Sequence, residues 1–342
     1  MLEAAASSAH RACKGCGTEL ARQLLACPAC GTLVFAAELK QLADSASRAA
    51  TPVEALGFWR EALELLPAGS RQREAITGKI DALVTEVERT PAGGRGKSQW
   101  GKVAAGAGVV AIFLAKFKFI IFFLLTKAKL LLLGLTKMST LLTMFVSFGL
   151  YWTLWGWKFA AGIILSIYVH EMGHVAMLAR LGVAASAPMF IPGLGAIVRL
   201  RQHLPTARED ARVGLAGPIW GLGAALAAWG LGVALHAPLF LAVAKVGAWI
   251  NLFNLTPIWQ LDGSRAFRAL TKPQRWMATG SVVAALLLAA PDSYGVLLIV
   301  LLFAIIRLFE KDTATQGDQR ALVEYVGLIA ALTLIASIHV PR

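Results

Sequence analysis

The sequence predicts an all-α polytopic membrane protein of about seven transmembrane helices with a small soluble head in front of it. Three observations predict this. Of the 342 residues, 57% are hydrophobic and only 15% are charged. The first hundred residues read as soluble, whereas every long apolar run comes later. The basic residues gather in short loops and flanks beside those runs, so the net charge of +13 reports orientation in a membrane. Nucleic-acid binding would need an interleaved basic and aromatic surface pattern, which is lacking.

The head comes first. Met1 to Ala12 is small and polar without an apolar core segment, so the N-terminus is expected to stay in the cytosol. All four cysteines fall within eighteen residues as Cys13, Cys16, ten intervening residues, Cys27 and Cys30, with Gly17 and Gly31 directly after the two pairs. Two C-x-x-C-G knuckles supply four thiolates for a tetrahedral structural zinc, and each glycine lets a turn close around the metal. Residues 1–34 are therefore read as a cytosolic zinc ribbon. Two disulfides would require an oxidising compartment. A segment this short has little core, so metal binding supplies most of its folding energy.

Residues 35–90 read as helices. Leu42, Ala43, Ala55, Trp59, Ala62 and Pro67 fall where tetratricopeptide repeats favour such residues, so the segment resembles one repeat with a solvating helix. A plain helical hairpin packed on the ribbon fits as well, because a single repeat cannot bury a continuous core. Either version implies an interaction module for a protein partner. Residues 91–102 form a Gly-rich basic linker; its GRGKS string is no P-loop, because Pro91 occupies the position of the first glycine.

Apolar runs suited to spans lie at 138–156, 158–179, 213–235, 239–259, 276–291, 294–309 and 321–339. The loops 180–212, 263–275 and 307–320 carry the arginines and lysines and belong on the cytosolic side. The opposite loops, at Trp157, His236 to Pro238 and Pro291 to Tyr294, are short and nearly uncharged. Parity then requires 103–137 to lie along the cytosolic interface with its lysines snorkelling, leaving seven spans and the C-terminus outside; two short lysine-bearing spans in that stretch would keep the same parity.

The chemistry sits in the second span. Its run from Trp157 to Arg180 carries His170, Glu171 and His174 as H-E-x-x-H. On a helix both imidazoles share one face and can reach one metal, with the glutamate beside them. Ionisable groups at bilayer depth are costly, which makes this constellation functional by default. His170 is ten residues from Arg180, about 15 Å along a helix, so the site lies within the bilayer towards the cytosol. A third ligand follows in the segment from Asn254 through Pro257 to Asp262 and Gly263, which has the form N-x-x-P-x-x-x-L-D-G. Taken alone, Asp262 would suit a helix cap or a partner for Arg265, and Asn254 a cap for a helix broken at Pro257. Beside H-E-x-x-H, Pro257 is expected to kink its span and aim Asp262 at the metal.

With these two motifs, and with Ala216-Gly217-Pro218 at the start of the next span, residues 158–270 resemble the site-2 protease family of intramembrane zinc metallopeptidases. The resemblance implies that His170, His174 and Asp262 hold a catalytic Zn2+ and that Glu171 is the general base. The chemistry agrees: catalytic zinc takes three protein ligands and keeps one open position. Asn254 suits a side-chain donor to the substrate backbone or the developing oxyanion. The segment Ser186 to Leu200, broken by Pro188, Pro192, Gly193 and Gly195, reads either as a re-entrant β element lining the site, as this family is thought to use for pairing with substrate, or as an interfacial loop. No loop is long enough for the PDZ domain of many relatives.

Two zinc ions are thus expected, one catalytic and one structural, together with transmembrane protein substrates, a lipid bilayer and no nucleic acid. The leading reading is an intramembrane endopeptidase. Its alternative is a non-catalytic zinc-binding scaffold that recruits partners through its head, against which stands the intact Glu171. A transporter would want polar groups on both sides of the midplane. The Ala-rich chain with a cytosolic start fits a bacterial plasma membrane.

Overall fold

A computed structural model describes residues 11–21, 23–89, 138–184, 188–191, 195–197, 204, 206–310 and 314–341. The linker 91–102 and the segment 103–137, with its two topological readings, lie outside the described residues, as do Ser186, Pro192, Gly193, Arg199 and Arg201. The chain divides into two compact units, Met1–Ala92 and Gly93–Arg342.

In the first unit, β1 (Arg11–Ala12) and β2 (Glu19–Leu20) form an antiparallel ladder on either side of the first cysteine knuckle. Three helices follow: α1 (Ala36–Arg48), α2 (Pro52–Glu64) and α3 (Arg71–Arg89). Thr51 starts α2 by accepting a hydrogen bond from the Glu54 amide, with Pro52 in the first turn. Leu56, Trp59 and Leu63 of α2 are buried, as are Ile80 and Val84 of α3. Arg73 Nη1 closes the C-terminal end of α2 by donating to the carbonyls of Leu63 (2.6 Å) and Leu66 (3.1 Å).

The second unit contains a helix at each run read as a span: α4 (Met138–Trp155), α5 (Trp157–Arg180), α6 (Ala207–Ala234), α7 (Pro238–Asn254), α9 (Lys272–Leu288), α10 (Tyr294–Leu308) and α11 (Gln319–Ala336). The short α8 (Asp262–Arg268) lies between α7 and α9. Four helical stretches are long and apolar enough to cross a membrane by length and composition, namely Trp157–Arg180, Ala207–Ala234, Pro291–Leu308 and Gln319–Ala336. Leu141–Trp155 and Pro238–Asn254 are shorter apolar helices, and Lys272–Leu288 is in neither group. The protein is thus a mostly helical integral membrane protein.

Backbone chemistry sets the boundaries. Gly156, at φ 83°, breaks the chain between α4 and α5. Past Arg180, Val183 N–H bonds the Leu178 carbonyl (2.9 Å) while Gly182 takes φ 73°, a glycine-closed helix end. Thr206 caps α6 through the Glu209 amide, and Glu209 and Asp210 sit at its positive end. The expectation of a span kinked at Pro257 needs correction: α7 ends at Asn254, and Pro257 falls in the turn beyond it. Residues before a proline avoid the helical region, so the helix stops instead of bending through.

Interactions at the helix ends sort the loops into two groups. At one end Arg212 of α6 pairs with Asp318 (3.0 Å), the Asp318 amide bonds the Ala269 carbonyl (3.0 Å), and buried Arg275 donates to the carbonyls of Phe267 and Arg307 (both 3.1 Å). At the other end Lys245 of α7 meets Asp292 (2.5 Å) and the Ile338 carbonyl (3.0 Å), while Ser293 accepts from Trp249 Nε1 (3.0 Å). The basic stretches at Arg212, Phe267 to Arg275 and Arg307 to Asp318 therefore share one end, while the Pro291 to Tyr294 loop lies with the end of α11 at the other.

Between α5 and α6, β3 (Met189–Ile191) and β4 (Gly195–Ile197) form an antiparallel hairpin, with Phe190 opposite Ala196. Of the two readings of this segment, the β element is the one observed. The Phe190 amide donates to Thr143 Oγ1 on α4 (3.2 Å), and its buried ring joins Ile164, Tyr168 and Met172 of α5.

Candidate metal centre

His170 and His174 lie one turn apart on α5, and Asp262 is the first residue of α8. Tertiary contact brings them together: His170 Nε2 stands 3.2 Å from Asp262 Oδ2, His174 Nε2 stands 3.4 Å from Asp262 Oδ1, and the two Nε2 atoms are 3.2 Å apart. All three residues are buried, each under 8% exposed, and so is Glu171 at 5%. Asn254 Nδ2 lies 3.4 Å from His170 Nε2, at the edge of the same group.

The hydrogen bonds on the far side of each ring decide what the near side can do. His174 Nδ1 is 2.7 Å from the Val213 carbonyl, which can only accept, so that nitrogen carries a proton. His170 Nδ1 is 2.8 Å from Asn251 Oδ1, and the Asn251 Nδ2 group donates to the Gly247 carbonyl (2.8 Å), which fixes the amide's orientation. His170 therefore also carries its proton on Nδ1. With Nδ1 engaged on the far side of each ring, the two Nε2 atoms and the Asp262 carboxylate converge on one point, a donor set suited to a divalent cation. Bonds of about 2.0–2.1 Å in a tetrahedron place ligand atoms about 3.4 Å apart, close to the separations observed.

Glycines make this approach possible. A Cβ at Gly173 would stand 2.9 Å from Trp220 Cβ on α6, and one at Gly217 would overlap both imidazoles. A Cβ at Gly221 would overlap the Asn251 amide, and one at Gly263 the Leu255 carbonyl. The last explains why glycine follows Asp262: the chain doubles back on the end of α7. Arg265 does not pair with Asp262. It bonds Asp210 on α6 (2.7 Å), and Arg268 bonds the same carboxylate (2.6 Å), leaving Asp262 to the histidines.

The cysteine group is closed. Its four sulfurs lie within 4.8 Å of one another, with Cys13 to Cys30 and Cys16 to Cys27 both at 3.6 Å, and none is in a disulfide. Zinc–sulfur bonds of about 2.3 Å imply tetrahedral edges near 3.8 Å, so four thiolates fit. The knuckles repeat one another: the Cys13 amide bonds the Thr18 carbonyl (2.8 Å) and the Cys27 amide bonds the Thr32 carbonyl (2.9 Å). Thr18 and Thr32 hydroxyls each lie 3.1 Å from the second sulfur of their knuckle. The Thr32 hydroxyl, with its amide, holds the Cys30 thiol down to about 6, towards the thiolate that a metal requires.

Asn251, Val213, Gly221, Thr18 and Thr32 were not singled out from sequence. The threonines had a signal, the repeated C-x-x-C-G-T; Asn251 had none beyond being a polar residue in an apolar helix.

The fold and site define a polytopic helical membrane protein with a buried His-His-Asp metal-ligand group and a four-cysteine cluster in its first unit. Residues 158–238 match the model of Peptidase family M50, so this part of the chain is similar to that family. The match takes in His170, Glu171, His174 and Gly217 and ends before Asp262, whose place at the site rests on geometry. No curated protein and no solved structure matches the chain.

Proposed function

We propose that the protein is an intramembrane zinc endopeptidase that hydrolyses peptide bonds in or near the transmembrane segments of membrane proteins. The observation that carries this reading is the convergence of two Nε2 lone pairs and the Asp262 carboxylate, at 3.2–3.4 Å, among buried helices. Two nitrogens and one carboxylate would give zinc three protein ligands, the number that a catalytic ion takes, whereas four thiolates suit a structural ion.

In this reading His170, His174 and Asp262 hold the catalytic metal. Zinc held there supplies Lewis-acid polarisation of a substrate carbonyl and makes a water molecule more acidic. Glu171 takes the proton of the attacking water and passes it to the leaving nitrogen; the site's burial limits proton loss to solvent. Asn254 donates its amide to the substrate carbonyl as charge builds on oxygen. The β3–β4 hairpin offers backbone groups to an extended substrate strand, because a substrate helix must unwind before its carbonyls are free.

The end bearing Arg208, Arg212, Arg268 and Lys272 faces the cytosol of a bacterial cell, as does the head. The cysteine cluster holds a second zinc, and the head docks a protein partner. Deleting residues 1–95 is expected to leave the metal site intact and to alter substrate or partner capture; unchanged interactions would remove the docking role.

Comparing membrane proteins in cells that express the native chain or Glu171→Gln tests the central claim. Discrete single-span species should accumulate only with the variant, and the purified native chain should cut them in a zinc-dependent way. Matching profiles with zinc still bound would favour the scaffold.

A further inference from the structure

The two imidazoles are held from behind in different ways. His174 is held by a backbone carbonyl, which no substitution removes, and His170 by the side chain of a residue 81 positions away. We infer that Asn251 is a positioning residue for the metal group and that Gly221 is the space that lets it act, an inference that rests on the zinc reading of the site.

Asn251 is 1% exposed, near Trp249, Ile250, Leu252 and Phe253 in an apolar helix where an unpaired amide would be costly. Both ends of that amide are used. Nδ2 donates one turn back to Gly247, so Oδ1 has a single orientation, facing His170 Nδ1. That bond fixes which ring nitrogen is protonated, the rotation of the ring, and hence where the Nε2 lone pair points.

Gly221 supports the assignment from a second helix. It stands across from Asn251, and any side chain there would displace the amide. Gly223, two residues along α6, has open space around its Cβ position, so helix α6 tolerates a side chain there and not at Gly221.

The test uses the purified full chain in nanodiscs, loaded with zinc and titrated with a chelator. Cobalt substitution separates the two sites, since only the cysteine cluster gives thiolate-to-metal charge-transfer bands. Asn251→Leu and Gly221→Ala should each release the non-thiolate ion at about 10–100-fold lower chelator than the native chain. Asn251→Asp, which keeps an acceptor towards His170 but turns its second oxygen on the Gly247 carbonyl, should release the ion between the native chain and Asn251→Leu, and Gly223→Ala should match the native chain.

Native-like retention in Asn251→Leu or in Gly221→Ala overturns the inference, and so does release from Asn251→Asp equal to that from Asn251→Leu. Because the two disruptive variants lie on different helices, loss of folding in one leaves the other to decide. A native chain that holds only the thiolate-bound ion overturns the zinc reading itself, and the inference with it.

Discussion

Two imidazoles 3.2 Å apart, with their protons held on the far nitrogens, leave lone pairs facing each other across a gap that a cation suits. Each residue that shapes the gap has a measurable share. In Gly217→Ala the new methyl would overlap both Nε2 atoms, so non-thiolate zinc should fall by at least about tenfold in affinity, read by chelator competition. Glu171→Gln should instead keep that ion and lose turnover if, as proposed, the carboxylate moves a proton and holds no metal; loss of the ion would put Glu171 among the ligands. At this scale the sequence was legible where spacing is local. His170 and His174 are one turn apart, and helical geometry alone puts them on one face. Asn251 was not legible, because its meaning depends on a partner 81 residues distant.

Helix α8 is only seven residues long, too short to hold Asp262 in place by itself. Asp210 on α6 grips it through Arg265 and Arg268, and Gly214 and Gly263 let it approach closely. Asp210→Ala should therefore cost about 1.5–3 kcal/mol in unfolding, since two cations lose a hydrogen-bonded partner, and should weaken metal retention as α8 loosens. Gly263→Ala should cost about 1–3 kcal/mol through overlap with the Leu255 carbonyl. Thermal unfolding in nanodiscs reads both, and native-like midpoints would break the argument. The ribbon depends on its knuckles in the same way: chelation should open residues 11–34 to proteolysis while α2 and α3, with a core of their own around Trp59 and Ile80, stay resistant. Protection of 11–34 in chelator would mean that the segment folds without metal.

The whole membrane unit has two chemically distinct ends. Arg212, Arg275 and Asp318 tie one together, and Lys245, Asp292 and Ser293 the other. The cations of the first end reach water or cap carbonyls, whereas Lys245 at the second is held by Asp292 and the Ile338 carbonyl. Single cysteines at exposed His236 and Lys272, in a chain otherwise free of reactive thiols, should label from opposite sides of intact cells, Lys272 only after permeabilisation. Labelling of both from outside would invert or refute the proposed orientation.

The sequence by itself determined the helical membrane class, the approximate places of the seven longer helices described in the second unit, the cysteine cluster and the identity of the three metal-ligand candidates, but not the short helix α8. These rest on composition, on the 3.6-residue period and on short spacings, all of which are local. Tertiary structure alone decided that Asp262 meets the histidines while Arg265 turns to Asp210, that Met189–Ile191 pairs with Gly195–Ile197, and that α7 stops at Asn254. Those outcomes depend on how closely helices can approach, and glycines set that limit at positions whose neighbours are far away in the chain.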